Sequence, residues 1–324
     1  MCTAISYRPG DHYFGRNLDL EYGYHETVTI TPRNFRFEFC MTGQLSVHYA
    51  MIGMATVMNG IPLYYEATNE KGLSIAGLNF PGNAVYLPPM EGKINLAPFE
   101  FIPWLLGQCA SIRDVRLRME QLCLADISFS PELPPTPLHW LIADREQSLV
   151  VEPMADGLHI FDNPIGVLTN NPPFDFHMHN LGLYLNVMPN QAVSRFSSMF
   201  PMAPWSNGMG GLGLPGDFSS ASRFVKAAFV KLNSAAEDHE RSCVSQFFHI
   251  LSSVAMPRGA VLVDNGKPEI TRYTCCCNTD KGIYYYQTYD NSRIHGVDLH
   301  RVDLDGTNIL AYPLILHEPI NIQN

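Results

Sequence analysis

Residues 1–20, MCTAISYRPGDHYFGRNLDL, decide the fold of this chain. The runs 2–7 and 12–18 are rich in β-branched and aromatic residues, and the turn sequence PGD at 9–11 separates them. Two such runs across a short turn predict a pair of antiparallel strands. The chain therefore begins as a β-hairpin that carries Cys2 on its first strand.

Cys2 is the most informative residue of this hairpin. A small side chain after Met1 is the type that lets methionine aminopeptidase remove Met1, which would leave a thiol beside a free α-amine. The unperturbed pKa is about 8 for an α-amine and about 8.5 for a thiol, so the amine can act as the base. Such pairing activates a weak nucleophile. A small residue at position 2 is also common without any catalytic role. The neighbours of Cys2 must therefore decide between a catalytic and a non-catalytic interpretation.

Arg16 and Asp19 on the returning strand are those neighbours. A guanidinium close to Cys2 would lower the pKa of the thiol and favour the thiolate. The carboxylate of Asp19 would hold the α-amine in place. The alternative is that Arg16 and Asp19 form an ion pair on the surface of the strand.

Three further residues are candidates from more distant parts of the chain. Arg223 lies at the start of a helix capped by Ser219 or Ser220, where the helix dipole disfavours a cation. Arg223 could contact the nucleophile or a carboxylate, or it could form a salt bridge to a neighbouring loop. The sequence favours neither interpretation. Asn79 and Asn170 each end a strand at a turn, where Asn is common on conformational grounds. Together their carboxamides would form an oxyanion hole.

Composition narrows the classes of partner. The 324 residues are 46% hydrophobic and 16% charged, as in a folded globular protein. Lys and Arg number 21 against 31 for Asp and Glu, a net charge of -10, and no basic cluster occurs. We therefore expect no nucleic-acid partner. Charged residues at 8, 11, 16 and 19 interrupt the N-terminal stretch before an apolar h-region could form, so we expect no Sec signal. No later stretch approaches the roughly 18 apolar residues of a membrane span, so we expect no membrane partner.

The cysteines and histidines predict no metal and no cofactor. Eight cysteines without a C-x-x-C pair are too sparse for a disulfide scaffold and fit reduced thiols in a cytoplasm. Neighbours in a strand point to opposite faces, so Cys275–Cys277 cannot easily converge on one metal and are expected to be buried or half-buried strand residues. His177 and His179 are interpreted as surface or loop residues. The G-x-G-x-x-G match at 208–213 follows no strand and predicts a loop.

Beyond the hairpin, strands and helices alternate in blocks. Length allows one domain or two, but the Pro-rich segment 131–137 leads straight into an alternating hairpin, so we expect a single domain over 1–324. This order predicts an α+β fold in four layers, with two stacked antiparallel sheets between helices. The other expected strands are 26–31, 49–58, 63–67, 73–78, two within 138–152, 164–169, 272–278, 282–287 and 294–299. The expected helices are 98–109, 111–124 with an N-cap at Ser111, 174–184, 219–232 and 242–254.

Several blocks in order carry a family resemblance: MCTAI, YFGRNLD, NEKGLSIAGLNFPG, PFEFIPWLLGQC, LHWLIADREQSLVVE, DNPIGVLTNNPPFD, GLGLPGDFSSASRF and KGIYYYQTYDN. Nearly end to end, the chain resembles choloylglycine hydrolases, and most of all the bile salt hydrolases of Gram-positive gut bacteria. The resemblance implies the αββα fold of N-terminal nucleophile hydrolases, a homotetramer and conjugated bile salts as substrates. It also implies six catalytic residues, which are Cys2, Arg16, Asp19, Asn79, Asn170 and Arg223.

The resemblance assigns roles to these residues. The Cys2 thiolate attacks the amide and its amine shuttles the proton, while Asp19 orients that amine. Asn79 and Asn170 steady the oxyanion, and two arginines shape the charge around the thiol. The apolar loops 127–138 and 199–216 are expected to hold a steroid acyl group.

Two other functions stay open from the sequence. Penicillin V acylases and acyl-homoserine lactone acylases share the nucleophile, although a tyrosine commonly replaces the residue that matches Asn79 in the penicillin branch. A steroid-binding protein without catalytic activity would also need the apolar loops. The segment 177–207 departs from the polar sequence expected there, which leaves its effect on specificity open.

Overall fold

The computed structural model describes all residues from 1 to 324. The strands, in chain order, are β1 (Cys2–Tyr7), β2 (Tyr13–Leu20), β3 (Thr27–Thr31), β4 (Phe37–Phe39), β5 (Gly43–Leu45), β6 (Met51–Met58), β7 (Ile61–Asn69), β8 (Ser74–Asn79), β9 (Ile94–Leu96), β10 (Leu122–Leu124), β11 (Leu138–Ala143), β12 (Ser148–Met154), β13 (Gly157–Asp162), β14 (Val167–Leu168), β15 (Ile270–Asn278), β16 (Ile283–Thr288), β17 (Asn291–Asp298) and β18 (Leu310–Pro313). The α-helices are α1 (Phe101–Gln108), α2 (Ile112–Met119), α3 (Phe174–Asn180), α4 (Ser220–Leu232) and α5 (Glu240–Ser252).

Two antiparallel sheets form the centre of the molecule. The six-stranded sheet has the order β14-β1-β2-β15-β16-β17, and the eight-stranded sheet has the order β13-β12-β11-β8-β7-β6-β3-β18. Buried apolar residues of both sheets and of α4 and α5 form one core. A second core joins the other face of the eight-stranded sheet to α1 and α2. The expected four-layer αββα sandwich is therefore confirmed.

The first hairpin lies in the middle of the six-stranded sheet, between β14 and β15. Cys2 pairs with Leu18, and Ala4 pairs with Arg16. Side chains alternate between the faces of a strand, so Arg16 points to the eight-stranded sheet while Asn17 points to the helical layer. The Asn17 amide donates accordingly to the carbonyl of Leu251 in α5.

Most of the expected elements are confirmed, including both strands of the hairpin. Ser111 caps α2 and Ser219 caps α4, each by accepting from the backbone N–H three residues further on. Cys275–Cys277 are buried in β15 as expected. Neighbouring cysteines on opposite faces are all buried because the sheet is covered on both sides.

Other expectations were wrong in detail. The helix expected over 111–124 ends at Met119, and β10 follows it, parallel to β9. The strand expected over 164–169 is reduced to two residues because Pro164 has no N–H and Gly166 has a φ of 60°. The helix expected over 174–184 is α-helical to Asn180 and 3₁₀ beyond it. No helix has the length and apolar character of a membrane span.

Candidate active site

A cavity of about 300 Å³ lies beside Cys2. Its wall is mostly apolar and aromatic and comes from both sheets, α1 and the loop before β11. The expectation that loop 127–138 contributes to such a wall is confirmed, but segment 199–216 does not line this cavity. The lining residues are Cys2, Arg16, Leu18, Leu20, Tyr24, Thr56, Met58, Leu63, Tyr64, Tyr65, Gly77, Asn79, Pro98, Phe99, Ile102, Phe129, Leu133, Pro134, Pro135, Thr136, Leu138 and Trp140.

Arg16 is a buried cation on the wall of this cavity. Its Nη1 donates to the carbonyl of Gly77 at 2.5 Å and to that of Tyr65 at 3.3 Å. Its Nη2 is buried without a hydrogen-bond partner. Burial lowers the pKa of Arg16, but the nearby acidic groups, of which Cys2 acts most strongly, outweigh burial and raise it. Arg16 thus brings positive charge close to Cys2.

Asp19 lies on the other face of the sheet and is completely buried. Its Oδ1 accepts from the Thr271 hydroxyl at 2.6 Å, while Oδ2 has no partner. Burial raises the pKa of Asp19, and the charges of Arg223 and the N-terminal ammonium oppose that rise. With Met1 in place, the ammonium donates to the main-chain carbonyl of Asp19 at 2.8 Å and pairs with Glu269. The free Oδ2 of Asp19 is therefore available to another donor.

Asn170 joins three parts of the site through its side chain. Its Oδ1 accepts from the backbone N–H of Cys2 at 2.8 Å and from Nη2 of Arg223 at 2.9 Å. Its Nδ2 donates to the main-chain carbonyl of Asn79 at 2.7 Å. This carboxamide fixes the nitrogen that would become the free α-amine of Cys2.

Arg223 is buried in the first turn of α4, where the helix dipole disfavours a cation. Its Nη1 donates to the carbonyl of Cys2 at 2.5 Å and to the hydroxyl of Thr3 at 2.7 Å. Burial lowers the pKa of Arg223, and Asp19 and Cys2 oppose the shift. Of the two interpretations left open by the sequence, the structure places Arg223 against the backbone of Cys2.

Asn79 occupies the end of β8 and lines the cavity, where Leu138 of β11 is its strand partner. The bond from Asn170 reaches its main-chain carbonyl, and no hydrogen bond engages its carboxamide. The six expected residues thus divide into a cavity side and a supporting side. Cys2, Arg16 and Asn79 line the cavity, whereas Asp19, Asn170 and Arg223 lie behind Cys2.

A set of buried residues that the sequence did not reveal supports the Asn170 segment. His177 lies 2.9 Å through Nε2 from the carbonyl of Asn170, and the hydroxyl of Ser220 accepts from the N–H of Asn170 at 2.8 Å. His139 lies 2.8 Å from the carbonyl of Thr169. The expectation of a surface or loop position for His177 was wrong, because the residue is fully buried in α3. Periodicity gave no signal for these long-range contacts.

No group of three or more His, Cys, Asp and Glu side chains is arranged to hold a metal ion. The chemistry that the site offers is that of a thiol between two buried guanidinium groups, with its backbone nitrogen held by a carboxamide. A sandwich of this topology with a thiol on its first strand is the architecture of the N-terminal nucleophile hydrolases.

Within that class, the chain belongs to the choloylglycine hydrolase family: the family of linear amide C–N hydrolases matches residues 2–312. The bile salt hydrolase/transferase of Lactiplantibacillus plantarum is 52% identical over 97% of both chains. That of Clostridium perfringens is 39% identical over 96% of both.

Solved structures agree with this assignment to the family. A mutant of the conjugated bile acid hydrolase from Clostridium perfringens superimposes with a TM-score of 0.92 at 37% identity, over 100% of both chains. A penicillin V acylase from Agrobacterium tumefaciens has a TM-score of 0.76 at 16% identity, covering 98% of this chain and 94% of its own. The second likeness concerns the fold alone. The protein is an amide C–N hydrolase of this family.

Proposed function

We propose that the chain hydrolyses the amide bond of glycine- or taurine-conjugated bile salts, with Cys2 as nucleophile after removal of Met1. The observation that carries the proposal is the position of Cys2 on the wall of an apolar cavity of about 300 Å³, with its main-chain nitrogen held from behind. An apolar wall suits a steroid acyl group. The names of the relatives with full-length similarity support the same substrate class.

The proposed reaction follows from the two sides of the site. The Cys2 thiolate attacks the amide carbon, a C–S bond forms, and the carboxamide of Asn79 donates to the oxyanion. The α-amine of Cys2, oriented by Asp19 and Asn170, passes the thiol proton to the leaving nitrogen. The C–N bond breaks and glycine or taurine leaves. Water then attacks the thioester, the C–S bond breaks, and free bile acid and thiol result.

Arg16 and Arg223 have electrostatic roles in this proposal. Arg16 favours the thiolate from the cavity side, and Arg223 fixes the main chain of Cys2 through its carbonyl. We further propose that residues 1–324 act as a single domain in the cytoplasm, where thiols stay reduced.

We also propose that the active form is a homotetramer. Segment 183–205 exposes a row of large apolar side chains, among them Phe196, Met199 and Trp205 at 82%, 92% and 81%. Exposed apolar residues in such a run mark a contact with another protein surface. A further copy of this chain is the partner that the resemblance implies.

The decisive experiment compares the wild type with Cys2→Ser, and Cys40→Ser serves as a control at an exposed thiol. Intact mass reports Met1, and release of glycine or taurine from conjugated bile salts reports turnover. We expect Met1 to be absent, and only Cys2→Ser to lose nearly all turnover while it still binds the bile salt. Retained Met1 or turnover by Cys2→Ser would overturn the mechanism. A processed wild type that cleaves only penicillin V or acyl-homoserine lactones would overturn the substrate.

A further inference from the structure

Glu66 is an acid buried between the two sheets, 2% exposed, and it does not line the cavity. It projects from β7 toward the six-stranded sheet. Its Oε1 accepts from the Tyr284 hydroxyl at 2.6 Å, and its Oε2 accepts from the Tyr273 hydroxyl at 2.8 Å. The Sγ of Cys275 lies 3.4 Å from Oε1. Three donors from the opposite sheet thus converge on one carboxyl group.

Arg16 is the cation that faces this acid. Its Nε lies 3.8 Å from Oε2 of Glu66, and both side chains are buried. The hydrogen bonds of Arg16 go to main-chain carbonyls instead, those of Gly77, Tyr65 and Asn17. Glu66 therefore acts on Arg16 through charge, and solvent screens that interaction little in the interior.

The titratable groups that act on Arg16 are Cys2 of β1, Asp19 of β2, Glu66 of β7, Tyr273 and Cys275 of β15, and the N-terminal amine. Arg223 and the N-terminal amine are the other charged groups that act on Cys2. Burial raises the pKa of Glu66, while Arg16 and the three donors oppose the rise. Arg16 lines the cavity together with Cys2, and its Nε lies 3.8 Å from the Glu66 carboxyl, so the same guanidinium acts on both groups. A change in the charge of Glu66 therefore changes the electrostatic potential at the Cys2 thiol.

We propose that Glu66 is a positioning residue that sets how much of the positive charge of Arg16 reaches the Cys2 thiol. The inference rests on the proposed role of Cys2 as nucleophile. A thiolate whose pKa is lowered too far is a poorer nucleophile, so a counter-charge at Glu66 keeps the thiol reactive near neutral pH.

The test is the pH dependence of Cys2 alkylation by iodoacetamide, followed by mass spectrometry of the N-terminal peptide in protein shown to lack Met1. Glu66→Gln removes an anion without changing the shape of the side chain. We expect the midpoint of alkylation to move to lower pH by about one unit, because Arg16 then stabilises the thiolate more strongly. We expect kcat for conjugated bile salts to fall more than KM changes.

Tyr284→Phe provides a second variant that keeps the carboxyl group. It removes one donor that stabilises ionised Glu66, so its midpoint shifts in the same direction by less. Glu70→Gln is the matched control, since Glu70 follows β7 directly and its partner is Arg33 instead of Arg16. We expect its midpoint to equal that of the wild type.

A midpoint that stays unchanged in Glu66→Gln and Tyr284→Phe, or that moves to higher pH, overturns the inference. If Glu66→Gln does not fold, Tyr284→Phe decides alone. Alkylation needs no turnover, so this result is independent of the proposed function, which fails separately if Cys2→Ser still releases glycine or taurine.

Discussion

Asn79 and Asn170 both carry a carboxamide and lie close to Cys2, but their surroundings indicate different roles. Both amide atoms of Asn170 are engaged, with Cys2, Arg223 and the carbonyl of Asn79 as partners. Asn79 instead lines the cavity, and no hydrogen bond engages its carboxamide. The proposed oxyanion therefore has Asn79 as its main side-chain donor, and Asn170 acts chiefly on the nucleophile itself.

Asn79→Ala is expected to lower kcat by about 100-fold to 1000-fold, the typical effect of removing one oxyanion donor. KM should change little, because the donor acts mainly in the transition state. Steady-state kinetics with a glycine-conjugated bile salt measures both constants. Asn95→Ala, whose carboxamide binds only a surface loop, serves as a control that should match the wild type. A rise in KM alone would contradict the assigned role.

Asn170→Ala is expected to lower both activity and stability. The change leaves Nη2 of buried Arg223 without its acceptor, which costs about 1–3 kcal/mol of unfolding free energy. Urea unfolding and turnover are measured together on this variant and on Asn79→Ala. If the two variants were equally stable, the supporting role of Asn170 would be wrong.

Part of this site could be predicted from the sequence because part of it is local. Cys2, Arg16 and Asp19 belong to one hairpin, so strand pairing alone brings them together. The sequence showed only that Arg223 is a cation at the start of a helix, where the dipole disfavours it. The family resemblance was needed to choose its role. Glu66 gave no signal at all, because the residues that donate hydrogen bonds to it lie more than 200 residues away and local periodicity carries no information about them.

At the scale of elements, the hairpin of β1 and β2 is held by a buried histidine. Nδ1 of His12 lies 2.7 Å from the Thr279 hydroxyl, and Nε2 lies 2.9 Å from the Ser6 hydroxyl. Burial lowers the pKa of His12 to about 4. One neutral imidazole thus links β1 to the residue that follows β15, just before the strand that carries Arg16.

This histidine predicts a loss of stability in mild acid. The unfolded chain binds a proton at His12 below about pH 6.5, whereas the folded chain does not until about pH 4. Stability is therefore complete above pH 6.5 and falls as pH drops toward 4. Between pH 7 and 5 the wild type should lose about 2 kcal/mol more than His12→Gln. Urea unfolding at both pH values measures the difference. His317→Gln, at an exposed position, should behave as the wild type; equal losses in all three would contradict the assignment.

The elements that were not predicted from the sequence are mostly short. β4, β5, β9 and β10 have three residues each, and a three-residue run shows too little alternation to be recognised. The long strands of both sheets and the amphipathic α4 and α5 were predictable because they carry several repeats of their period. The stacking order was also predictable, since each block of strands needs a cover for its apolar face.

At the scale of the whole molecule, segment 183–205 is the feature that a single copy does not explain. Its large apolar side chains lie outside both cores and outside the cavity. A folded chain gains nothing from keeping them in water, because burying a large apolar side chain stabilises by about 1.5–3 kcal/mol. A contact with further copies would provide that burial, which is why the segment supports the proposed tetramer.

The combined replacement of Phe196, Met199 and Trp205 by Ser is therefore expected to change assembly and leave the fold intact. Light scattering after size exclusion should report four protomers for the wild type and fewer for this variant. The matched control replaces Leu117, Leu262 and Ile320 by Ser, since these are also large apolar residues and are exposed elsewhere. It should remain tetrameric, and the circular dichroism of both variants should match that of the wild type. A wild type that elutes as one protomer would refute the tetramer, while a tetramer that survives the triple replacement would place its contacts on another surface.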